Sequence, residues 1–175
     1  MELVLPSTEY EKSFRQAVEE FRHGKGNKET VEQSLVKRYD ESASFFAFVE
    51  KFFGETKGKF LPEGYVANTT FWLVEGDNYI GSVNIRHTLT PHLLEVGGHI
   101  GYTIRPSERG KGYGNMILEL ALPKAKELGI MDVLVTCKED NIASAKVIEK
   151  NGGVLEDTRT HTDGITRRRY WIHLE

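Results

Sequence analysis

Arg109-Gly110-Lys111-Gly112-Tyr113-Gly114-Asn115 is the most informative run in this chain. An alternating apolar stretch, Ile100 to Ile104, precedes it, and an amphipathic helical pattern from about Tyr113 to Leu128 follows. The glycines therefore stand between a strand and a helix. Glycine at every second position leaves backbone N–H groups uncovered and tolerates positive φ. The first turn of the next helix adds unpartnered N–H groups and the positive end of a dipole. Together these features favour an anion, above all phosphate. The spacing excludes two common phosphate binders. A P-loop needs Gly-x-x-x-x-Gly-Lys followed by Ser or Thr, and a dinucleotide fingerprint needs Gly-x-Gly-x-x-Gly, whereas this run is Gly-x-Gly-x-Gly. Taken alone, the stretch also reads as an ordinary glycine-rich turn into a helix.

Working outward, the period-two segments predict strands over 98–105 and 131–137, the second apolar enough to be buried on both faces. Pro106 ends the first. Thr70 to Glu75 and Tyr79 to His87 predict a hairpin around Gly76-Asp77-Asn78. Val154 to His161 and Thr166 to Leu174 predict another around Asp163-Gly164. His87 to Gly97 reads as a connection. Helices are expected over 8–23, capped by Ser7 or Thr8, over 28–53 with a break near Asp40 to Ser44, and over 141–150. Gly24, Gly26 and Asn27 separate the first two, and Gly54 to Gly64 reads as a loop. Phe45, Phe46, Phe48, Val49, Phe52 and Phe53 form an aromatic cluster that serves either as core beneath a sheet or as the wall of an acceptor pocket.

Composition narrows the class. At 175 residues the chain is expected to be one domain, long enough to bury a core. With 39% apolar and 28% charged residues it reads as a soluble globular protein, and a net charge of −3 gives no reason to expect nucleic acid or an anionic membrane. A single cysteine, Cys137, rules out an internal disulfide and suits a reducing, cytoplasmic location. No apolar run reaches membrane-spanning length, and the N-terminal residues lack a signal-like pattern.

Arg109, Gly112 and Gly114 fill the pattern Arg/Gln-x-x-Gly-x-Gly/Ala, which resembles the acetyl-CoA site of the GCN5-related N-acetyltransferase (GNAT) superfamily. A second segment, Asn141-Ile-Ala-Ser144-Ala-Lys-Val-Ile148-Glu-Lys-Asn-Gly-Gly, resembles that family's Asn-x-x-Ala/Ser … Tyr-Glu-Lys-x-Gly-Phe. The string from Gly97 to Arg109, preceded by Arg86-His87, looks like a subgroup of predicted acetyltransferases of unknown substrate. The resemblance covers roughly residues 65 to 175. It implies an α/β (α+β) GNAT fold: a mixed, mostly antiparallel central sheet with splayed strands and flanking helices. Residues 65–175 would form the acetyl-CoA-binding core and 1–64 the variable helical part that often shapes the acceptor site.

The resemblance also assigns roles. Backbone groups of Tyr102, Thr103 and Ile104 would pair with the pantetheine arm. Amides from Arg109 through Gly110, Lys111, Gly112, Tyr113 and Gly114 to Asn115 would hold the pyrophosphate, with charge added by Arg109 and Lys111. Asn141 and Ser144 fall where the family contacts the cofactor, although an N-cap explains Asn141 unaided. Ile148 stands where many members carry a tyrosine that protonates the leaving thiolate. Tyr102, Tyr113 or a water would have to substitute, or the thiolate leaves unaided.

The implied reaction is attack of a primary amine on the thioester. An alkylamine with a pKa near 10.4 is almost wholly protonated at pH 7, so freeing it costs roughly 4–5 kcal/mol. The base candidates are His99 and Glu95, then His87. His99 leads, although its register from Arg109 puts it on the wrong face unless the strand bulges at Gly97, Gly98 or Gly101. A structural histidine and a solvated loop glutamate are the plainer readings of the two. Arg86 and His87 also suggest a site for an acidic acceptor group. Cys137, in an apolar strand without a basic partner, reads as a buried inert thiol. His87, His92 and His99 fit no metal-ligand spacing. The expectation is a metal-free acetyltransferase using acetyl-CoA on a small-molecule or peptide amine, with a homodimer as the default assembly. The rival is a CoA-binding sensor or partner-binding module without turnover.

Overall fold

In the computed structural model, which describes residues 1–23 and 31–175, each expected element has a counterpart. In chain order these are strand β1 (Glu2–Val4), helices α1 (Glu11–His23), α2 (Val31–Asp40) and α3 (Phe45–Thr56), strands β2 (Asn68–Glu75) and β3 (Asn78–Arg86), a short helix α4 (Pro91–Glu95) and strand β4 (Ile100–Ile104). Then follow helix α5 (Tyr113–Glu127), strand β5 (Asp132–Lys138), helix α6 (Ile142–Lys150) and the hairpin β6 (Val154–Thr160) and β7 (Thr166–His173). The break read at Gly24, Gly26 and Asn27 lies outside the described residues. Strand β1 and helix α4 are not among the expected elements. The 87–97 connection contains α4, one turn capped by Thr90 with Pro91 in its first turn. Pro123 lies inside α5 without ending it, on the solvent face, where water can serve the carbonyl that proline leaves without a donor.

The strands form two sheets of order β1-β2-β3-β4 and β5-β7-β6, with every ladder antiparallel. Between the sheets, the pairing among the described residues is an isolated bridge from Gly98, just before β4, to Val135 of β5. Beyond it they diverge, which is the splay the resemblance implied. Gly97 and Gly98 have φ of +105° and +62°, and a Cβ at Gly98 would lie 2.3 Å from the Leu134 carbonyl oxygen. Only glycine can occupy that backbone position so close to β5.

β2 is buried on both faces, which explains its nearly unbroken apolar run. Trp72 and Val74 face the N-terminal helices, while Leu73 packs on the other side. On the first side Phe14, Phe45, Phe48 and Phe52 surround Trp72, with Phe14 stacked on it at 4.8 Å. The aromatic cluster is therefore core under the sheet, except for Phe46, which is exposed. On the second side Ile117, Leu118 and Ala121 of α5 and Ile148 of α6 meet Ile100, Val133, Val135 and Tyr170. That second core fixes α5 against the divergence of β4 and β5, and so sets the glycine loop beside the gap.

Candidate acetyl-transfer site

The glycine loop is built as its sequence suggests. Gly110 and Gly112 adopt φ of +77° and +89°, and a Cβ on either would meet nothing within 4 Å. Open space thus lies above both. Gly112 is the N-cap of α5 and supplies no side-chain cap. The first intrahelical bond runs from Asn115 N–H to Gly112 C=O at 3.1 Å, so the amides of Tyr113 and Gly114 precede the helical ladder. Gly114 packs closely on Val147 and Tyr102, and Asn151 Nδ2 donates to Asn115 Oδ1 at 3.2 Å, tying α5 to α6. Asn141 Oδ1 accepts from Ser144 N–H at 3.1 Å, so Asn141 is the N-cap of α6.

The edge of β4 leads to this loop. Arg86 N–H donates to His99 C=O, and Arg105 N–H donates to Ile80 C=O, both at 2.8 Å. Odd-numbered residues of the segment therefore direct their backbone groups at β3. By antiparallel alternation, Tyr102 and Ile104 direct theirs into the gap. The Ile104 carbonyl accepts from Arg109 Nε at 3.0 Å, which ties the strand to the loop. Side chains alternate too. Tyr102 and Ile104 face the α5 core, while Thr103 and Arg105 face α1 and α2.

Both cations of the loop are paired within the protein. Arg109 Nη2 donates to Glu32 Oε1 of α2 at 2.5 Å, and Lys111 Nζ donates to Glu108 Oε2 at 2.9 Å. Thr103 Oγ1 also donates to Glu32 Oε1, at 3.3 Å. Glu32 is a site residue that sequence reading missed; nothing local marks a helical glutamate that meets β4 from 71 positions away.

His99 is held by β5. Its N–H donates to the Leu134 carbonyl at 2.7 Å, and Leu134 N–H donates back to His99 Nδ1 at 3.0 Å. The imidazole lone pair is thereby occupied, and the neutral ring carries its proton on Nε2. As placed, His99 has no free site for a substrate proton; it pins the two sheets together at the mouth of the gap. Burial, with Arg86 adding repulsion, holds its pKa below the ordinary 6.5. An unfolded chain therefore binds this proton first as pH falls, and stability is expected to drop below about pH 6.5. His99→Asn, whose Oδ1 can accept from Leu134 N–H, should flatten that part of a Tm-against-pH curve. His99→Ala should cost about 1–3 kcal/mol throughout, through the unsatisfied N–H.

The other base candidates are also engaged. Glu95 Oε1, at the end of α4, accepts from Arg159 Nη1 at 2.6 Å. His87 Nε2 and Thr69 Oγ1 share a hydrogen bond of 2.9 Å. Arg86 does not reach out for an acidic acceptor group. Its Nη1 donates to the Gly97 and Gly98 carbonyls at 3.1 and 2.9 Å, which braces the left-handed kink. The Tyr102 hydroxyl is buried beside Ser144, and burial raises its pKa. Ile148 is wholly buried. Cys137 is buried, which pushes its thiol pKa up and keeps it inert.

Comparison with known proteins bears on this geometry. The family model of the acetyltransferase (GNAT) domain matches residues 17–154, most of the chain. The chain belongs to the GNAT acetyltransferase family. Its fold is shared by solved acetyltransferase structures of low sequence identity. RimL, a ribosomal L7/L12 alpha-N-protein acetyltransferase solved with coenzyme A disulfide-bonded to a cysteine, is 16% identical at a TM-score of 0.68, over 98% of this chain and 93% of RimL. The microcin C7 self-immunity acetyltransferase MccE, solved with acetyl-CoA and AMP, is 15% identical at 0.67, over 98% of this chain and 91% of MccE. A chimera of the spermidine N-acetyltransferase SpeG from Vibrio cholerae and hSSAT is 15% identical at 0.65, over 99% and 96%. No curated protein matches the chain in sequence. As a GNAT protein the chain is an acetyltransferase. Among its described residues no helix is long and apolar enough to cross a membrane.

Proposed function

We propose that this protein moves an acetyl group from acetyl-CoA to a primary amine by direct attack in a ternary complex. One observation carries the proposal: an unladdered edge of β4 leads, through a short 3-10 turn at Pro106–Glu108, to a left-handed glycine loop that opens a helix. An extended ligand with a phosphate end suits that continuous track. RimL and MccE, named above, were solved with coenzyme A and acetyl-CoA, and SpeG is named for an amine substrate.

Acetyl-CoA supplies the activated thioester. The chain's own groups then act in sequence along the track. Of the loop expected to hold the pyrophosphate, the amides from Gly110 to Gly114 do so, since those of Arg109 and Asn115 donate to the Pro106 and Gly112 carbonyls. Backbone groups of Tyr102 and Ile104 align the pantetheine arm, while those of Thr103 are turned to β3. Asn141 and Ser144 at the start of α6 border its other side. The Ile104 N–H, directed into the gap, is placed to stabilise negative charge on the carbonyl oxygen. Alignment of amine and thioester by the gap contributes several kcal/mol, where the upper range for well-oriented reactions is about 7–11. With the His99 lone pair bonded to Leu134 and Glu95 paired to Arg159, the amine's proton leaves by water rather than by either side chain. With Ile148 at the position of the usual tyrosine, the thiolate leaves unaided; at a pKa like that of free cysteine, about 8.5, it can do so.

The rival is a CoA-binding module without turnover, and the same occupied base and missing tyrosine favour it. A thermal-shift series with acetyl-CoA, CoA, ATP and NAD tests the shared part. At 100 times its Kd a ligand stabilises by about 2.7 kcal/mol, so acetyl-CoA and CoA alone should raise Tm. No response to either would remove the proposal. Acetylation of any member of an amine panel would then separate the enzyme from the binding module.

A further inference from the structure

Glu32 joins three parts of the site that no local sequence links. It belongs to the first turn of α2, its Oε1 accepts from Thr103 on β4, and the same oxygen accepts from Arg109 of the glycine loop. Thr103 is buried on the face of β4 turned towards α1 and α2, opposite to the face that packs on α5. Glu32 therefore stands on the N-terminal side of the gap, away from the α5 core. Its carboxylate is partly shielded, at 26% side-chain exposure, while Arg109 is 48% exposed. Among the described residues, the donors on this carboxylate are Arg109 and the Thr103 hydroxyl.

We infer that Glu32 is a carboxylate shared between donor and acceptor: it pairs with Arg109 until a phosphate takes that guanidinium, and then binds the acceptor as an ammonium. The inference rests on the acetyl-CoA reading above and adds an acceptor class and an order of events. A pyrophosphate on the loop amides competes with Glu32 for Arg109, since both are anions and the guanidinium suits either. Once Arg109 turns to the phosphate, Glu32 keeps, among the described residues, the neutral Thr103 hydroxyl. It is then a half-buried anion needing a cation, and an incoming alkylammonium supplies one. Donor binding therefore precedes and promotes acceptor binding, and neutral or anionic acceptors are disfavoured.

Calorimetry with CoA and initial-rate kinetics on the first amine found to be acetylated test the inference in the full chain. Glu32→Gln keeps the side-chain shape and removes the charge. It should bind CoA about two- to fivefold more tightly, in line with the strength of partly exposed ion pairs, because the competitor for Arg109 is gone. It should raise the KM for the amine at least tenfold. The CoA gain should vanish when Glu32→Gln is made in an Arg109→Gln background, and that cycle isolates the pair from any general effect of charge. Unchanged CoA affinity, or a gain that persists without Arg109, overturns the shared-carboxylate inference even if the enzyme is active. Unchanged amine KM overturns its acceptor half. CoA failing to bind the unaltered protein overturns the acetyl-CoA reading itself, and calorimetry shows that without any turnover. A melting curve matching the parent's shows that Glu32→Gln is folded.

Discussion

Gly98→Ala should lower stability by roughly 2–5 kcal/mol, a fall in Tm of about 5–15 °C for a chain of this size. Two effects add. A non-glycine residue at φ +62° costs about 1–2 kcal/mol in left-handed strain. The new Cβ would also sit 2.3 Å from the Leu134 carbonyl oxygen and 2.9 Å from its carbon, both backbone atoms that cannot swing aside. The strands must then separate at the one bridge that joins the sheets, which strains both His99–Leu134 bonds. Gly164→Ala is the control. Gly164 has a similar φ of +75° in the β6–β7 turn but open space around it. It should show the backbone cost alone. Equal losses for the two substitutions would mean that the approach of β4 to β5 contributes nothing. Thermal and urea unfolding of both variants measure the difference.

Gly112→Glu should do the reverse, leaving the fold nearly intact and weakening CoA binding by roughly 100-fold or more. The space above Gly112 is open to a Cβ, so the stability cost is again about 1–2 kcal/mol of left-handed strain. The added carboxylate stands over the amides proposed to hold pyrophosphate. Two like charges about 5 Å apart at an effective dielectric near 20 repel by about 3 kcal/mol, a factor above 100 in Kd. Calorimetry with CoA at two salt concentrations reads the loss, and its charge component should shrink at the higher salt. A Kd unchanged from the parent's would place the ligand elsewhere.

The glycine loop was legible because its chemistry is local. Left-handed glycines, a strand before and a helix after are properties of seven consecutive residues. The strand and helix order was legible for the same reason, with period two giving way to period 3.6 at glycines and prolines. The 40–44 break in the N-terminal helices was written in Ser44, which caps α3 through a 3.1 Å bond to Ala47 N–H. α4 was missed because five residues are too short to show a period, although Thr90-Pro91 is a fair start signal.

What the sequence hid is what folding brings together. His99 looked like a base because a histidine near a cofactor strand can be one. Its Nδ1 is bonded to an amide 35 residues further on, and only the tertiary structure shows that. Arg86 looked free to bind an anion, yet it braces two carbonyls of a kink that the glycines alone suggested. Glu32 gave no signal at all, since its partners are on β4 and in the loop. The splay was expected from resemblance; that Gly98 brings the two sheets together at a bridge to Val135 is seen only in the folded chain.

The Trp171 ring lies edge-on to the His99 imidazole at 6.4 Å, while Trp72 is enclosed by Phe14, Phe45 and Phe52 on the far side of the first sheet. The chain's two indoles thus occupy the sheet junction and the N-terminal core separately. Intrinsic fluorescence consequently divides into two channels. One is an emitter beside a titratable quencher at the mouth of the gap, and the other is a dry reference in an aromatic box. Replacing either tryptophan by phenylalanine leaves a single-colour reporter, so motion at the junction can be followed without attaching a dye.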